Sequence, residues 1–77
     1  QALRPKSDLE INDYDIELLK QLSQGLSQED ISHNFKTNAI SPNSLSTIEK
    51  RLNKLRIQFK ANNAIHLVAI VKDLGLI

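Results

Sequence analysis

Among the 77 residues, the first to weigh for proton transfer or metal binding are the two histidines, His33 and His66, and the clustered carboxylates Asp13, Asp15 and Glu17. Neither histidine belongs to a converging set of ligands, which a metal site requires. The trio falls at the start of an expected helix, where carboxylates suit the positive end of the helix dipole. With no cysteine there is no thiolate ligand, no disulfide framework and no thiol nucleophile. Gly25 and Gly75 stand alone, so no glycine-rich loop is available to cradle a phosphate. The expectation is a chain that is not an enzyme and that carries no metal and no cofactor.

The remaining chemistry is electrostatic. The formal net charge is only +1, yet residues 1–43 sum to −3 and residues 44–77 to +4. Five of the six basic residues in the second segment lie between Lys50 and Lys60. Such sign asymmetry points to a polyanionic partner, a solvated helix face being the plainer alternative.

Those charges need elements to hold them. Residues 1–10 contain Pro5 and no apolar period, and read as a linker or a frayed terminus. From Ile11 the apolar positions Ile11, Tyr14, Leu18, Leu19 and Leu22 recur at threes and fours, predicting a first helix. Asn12 or Asp13 would cap it and Gly25 would end it. Ser27 opens a second helix, with Asp30 completing a variant of the capping box, and Leu26, Ile31 and Phe35 as its contacts. Lys36 to Asn43 reads as a loop, because Pro42 disfavours helical backbone at Ser41.

The third helix is the clearest object. Leu45, Ile48, Leu52, Leu55 and Phe59 fall within about 80° of arc. Ser44 or Ser46 would cap its start. Opposite the stripe stand Ser46, Thr47, Lys50, Asn53 and Lys54. Lysine neutralises phosphate or donates to guanine, and asparagine bonds adenine bidentately, so this face suits a DNA major groove. Asn62 or Asn63 caps a fourth helix that stops at Gly75. The fold class is all-α, with four short helices and helix-turn-helix order in the second and third. The longest apolar run, Leu67 to Val71, is far shorter than the roughly 20 residues of a membrane span.

Three separated blocks carry a family resemblance. Asp15 to Ser32, with its Leu-Ser-Gln-Gly-Leu-Ser core, resembles the opening of the LuxR-type (GerE-like) helix-turn-helix domain of bacterial response regulators. The stretch Ser44-Leu-Ser-Thr-Ile-Glu-Lys-Arg-Leu52 is similar to the start of that family's recognition helix, and Asn63 to Ile77 to its ending. The resemblance covers residues 11–77. It implies a cytoplasmic transcription regulator of the two-component type, whose helix Leu45–Phe59 enters the major groove of double-stranded DNA. Glu49, Lys50 and Asn53 would then meet base edges, and Thr47 and Lys54 the backbone. Ser46 belongs to the same face, and Arg51 takes the position of a family histidine. An N-terminal receiver or sensor domain is implied as well, in keeping with a chain that opens on Gln1 and has no methionine. Two departures stand out. Eight residues separate Phe35 from Ser44 where the family has two, and Glu49 stands where the family commonly has lysine.

The fourth helix spreads its apolar residues over more than about 200°, twice what a surface helix needs. Either Leu76 and Ile77 fold back over the surplus, or it is a partner-binding stripe. In the family that helix dimerises, which implies a homodimer through Ile65, Val68, Val71 and Lys72. A second reading of the whole chain, favoured by Glu49 and the long turn, is a helix-turn-helix fold used for protein–protein interaction.

Overall fold

A computed structural model describes residues 11–77; the expected linker over 1–10 lies outside the described residues. Four helices follow one another, α1 (Asp13–Ser23), α2 (Gln28–Thr37), α3 (Leu45–Gln58) and α4 (Ala64–Asp73), with no strand among the described residues. The protein is an all-α, four-helix domain, as the periodicity predicts. α2 packs on α1 and α3, and α4 closes against the same two helices. None of the helices is long and apolar enough to cross a membrane.

Each helix is started in the same way. Asn12, Ser27, Ser44 and Asn63 hold extended backbone and accept a hydrogen bond from the amide three residues on. That satisfies one of the donors a helix leaves orphaned at its N-terminus. At α1 and α2 the bond is reciprocated by Asp15 and Asp30, so aspartate completes both capping boxes.

Each helix is also stopped in the same way. The residues after the four C-caps are Gly25, Ala39, Lys60 and Gly75, all at positive φ between 58° and 88°. Their amides bond back three residues, and the next amides, of Leu26, Ile40, Ala61 and Leu76, bond back five. These are Schellman motifs, each followed by an apolar residue that turns into the core. Ala39 and Lys60 fill positions where glycine is the favoured residue, which is why composition marks only two of the four ends. The stop at Ala39 lets α2 run to Thr37, so the connection to α3 is residues 38–44, seven residues against the eight of the expected loop.

The core draws on every element. Leu18 and Leu19, Ile31 and Phe35, Ile48, Leu52 and Leu55, and Leu67 and Val71 are buried, with Phe59 and Ala61 beside them. Ile40, Leu76 and Ile77 pack against this cluster. Leu76 and Ile77 thus fold back onto the core, while Ile65 on α4 stays exposed.

Candidate nucleic-acid interface

The face of α3 turned from the core carries Ser46, Glu49, Lys50, Asn53 and Lys54, all exposed. The buried row Ile48, Leu52 and Leu55 fixes that orientation, since a helix with one side anchored must present the other. α2 lies directly against α3. The turn between them is tied down at two points. Ser32 Oγ donates to the carbonyl of Asn43 (2.6 Å), and the Tyr14 hydroxyl donates to the carbonyl of Pro42 (2.7 Å). Tyr14 in turn stands edge-on to Phe35, ring centroids 5.3 Å apart. These two bonds fix the register at which α3 follows the turn.

Two of the predicted residues are already engaged within α3, and a third lies off its centre line. Thr47 is half-buried, and its hydroxyl oxygen accepts a bond from Ser44 Oγ (2.8 Å) within the cap of α3. The Asn53 side-chain carbonyl accepts from Arg56 Nη2 (2.8 Å), which occupies one of its two lone pairs. Glu49 lies on the flank toward α4, where it lines a groove with Gln28, Asn53, Arg56, Asn62 and Asn63.

Arg51, which by resemblance joins the DNA-binding residues, makes an ion pair within the fold. Its guanidinium turns inward to a bidentate pair with Asp15, Nε to Oδ1 at 2.5 Å and Nη2 to Oδ2 at 3.0 Å. Asp15 is buried at 1% exposure, and the same carboxylate completes the Asn12 capping box. Arg51 also stands 5.9 Å over the Tyr14 ring. A guanidinium that offsets a buried carboxylate is held by the fold, with 32% of the Arg51 side chain left exposed. The hydrogen bond to Asp15 raises the Arg51 pKa above its ordinary value, and burial raises that of Tyr14 above 10.0.

Sequence reasoning missed Asp15 as a buried group by assigning it to the helix dipole. The signal was present, because Asp15 lies inside the arc drawn by Ile11, Leu18, Leu19 and Leu22.

On α4 the predicted interface residues separate. Ile65 is 83% exposed, Lys72 is exposed and Val68 is half-buried. Val71 is fully buried in the core and has no surface to offer a second chain, contrary to the expectation for it. Ile65 and Val68 share an apolar groove with Leu22, Ser23, Gly25 and Ala64, between α4 and the end of α1.

The class defined by these observations is a small four-helix domain with an outward polar and basic face on α3. No protein-family model, curated protein or solved structure matches the chain.

Proposed function

We propose that the chain binds double-stranded DNA in a sequence-specific manner, as the output domain of a bacterial transcription regulator of the LuxR type. The observation that carries this reading is the exposed strip Ser46, Lys50, Asn53 and Lys54 on α3, held outward by a buried opposite face and backed by α2. A helix of 14 residues is about 21 Å long, enough to lie along a major groove. Lys50 and Lys54 supply phosphate or guanine contacts, Asn53 an adenine contact, and Glu49 a cytosine N4 acceptor at the edge of the strip. Two copies pairing through the Ile65 and Val68 groove would read two half-sites, with an N-terminal receiver or sensor domain in the full-length protein and a cytoplasmic location.

The test is binding to mixed-sequence duplex DNA across a salt gradient. Lys50→Ala and Lys54→Ala should each weaken binding and lower the salt slope by about one unit for every phosphate left without its lysine. An unchanged slope in the double variant overturns the docking of α3. Absence of retention on DNA at low salt favours the protein-interaction reading instead.

A further inference from the structure

The polar strip of α3 contains one residue that does not belong to it by type. Ile57 is 67% exposed, the one exposed large hydrophobe on this helix among the described residues. It lies seven residues beyond Lys50, which returns it to nearly the same azimuth about 10 Å further along the helix. Asn53 and Lys54 are its neighbours one turn back. It stands about 170° from the middle of the Ile48, Leu52, Leu55 row, on the side opposite the core.

A duplex presents one apolar group at the major-groove edge of its bases, the C5-methyl of thymine. Two ammonium groups on the same ridge favour a polyanion as the surface that comes down over Ile57. We propose that Ile57 is a specificity-determining residue, packing on a thymine methyl about two helical turns from the base met by Lys50. This rests on the DNA-binding reading above and adds to it a preference for thymine, expected two to three base pairs from the Lys50 contact given about 3.4 Å per step.

Random-sequence duplexes retained by the 77-residue chain supply the probe, and deoxyuridine is then placed at each thymine in turn. At one thymine the replacement removes only a methyl group and should weaken wild-type binding about fourfold, the value of one buried methyl. Ile57→Ala should bind that duplex and its deoxyuridine counterpart equally, with the wild-type salt slope. Because Ile57 points away from the core, the variant's circular dichroism and melting temperature should match the wild type. Indifference of the wild type to deoxyuridine at every position overturns the role of Ile57 and leaves DNA binding standing. Undiminished methyl sensitivity in Ile57→Ala does the same. Failure to retain any duplex at low salt overturns the DNA reading, and this inference with it.

Discussion

Asp15 carries more of the structure than its type suggests, since one carboxylate closes the start of α1 and holds Arg51 on α3. Arg51→Ala leaves that carboxylate buried and uncompensated. The loss should be about 2–3 kcal/mol in urea unfolding, reduced from the fully buried case because water reaches the arginine side. A change under about 0.5 kcal/mol would mean that the pair behaves as a surface ion pair. The neighbouring Tyr14 is the chain's only tyrosine, so its ionisation is directly visible by ultraviolet absorbance. Burial raises its folded pKa above the ordinary value of 10.0. A phenol that holds its proton more tightly when folded adds stability that is complete below pH 10 and is lost as pH rises through the folded pKa. Absorbance should therefore titrate later in the folded chain than in urea, and the melting temperature should fall above about pH 10; coincident titrations would contradict the burial. At this scale the sequence was least legible. Lys50 and Lys54 could be placed outward by spacing alone, whereas Arg51 sits at the edge of the apolar arc, where only a partner 36 positions away decides which way it turns.

The helices themselves were largely legible, for a local reason. Ser27, Asp30 and Gly25 act through bonds to residues within five positions, so the types that write them are visible in a short window. The ends at Ala39 and Lys60 were not, because the backbone there adopts a conformation that their side chains do not advertise. That mismatch is testable. Lys60→Gly and Ala39→Gly should each raise stability by about 0.5–1 kcal/mol, by removing the left-handed penalty of a β-carbon. Gly25→Ala should lower it by about 1 kcal/mol, although an added β-carbon there meets nothing within 4 Å. The comparison isolates backbone conformation from packing, and equal melting temperatures across the three variants would show that these ends are not strained.

For the molecule as a whole, the modest net charge conceals two poles. The basic one gathers on α3 and the acidic one on the first two helices. The apolar groove beside Ile65 lies on another part of the surface, between α1 and α4. If that groove pairs two copies, sedimentation of the wild type should show concentration-dependent association that Ile65→Asp abolishes. A wild type that stays monomeric at the highest soluble concentration would remove the dimer from the proposed mechanism. The surplus of apolar residues on α4 was visible in its sequence, but its division between Val71, which is core, and Ile65, which is surface, depends on where α1 and α3 lie.

The two ends of the α2–α3 connection bear on how such a domain can change over time. α2 is stopped by bonds within itself and by Ile40, and α3 is started by Ser44 bonding to Thr47. Between them, Pro42 and Asn43 are held to Tyr14 and Ser32, and Asn43 is held to Ile40. Doubling a loop adds only about 0.6 kcal/mol of closure entropy. An insertion between Ile40 and Pro42 would cost the bond that Asn43 Nδ2 donates to the Ile40 carbonyl (3.0 Å), but would leave in place the Tyr14, Ser32 and Ser44 bonds that present α3.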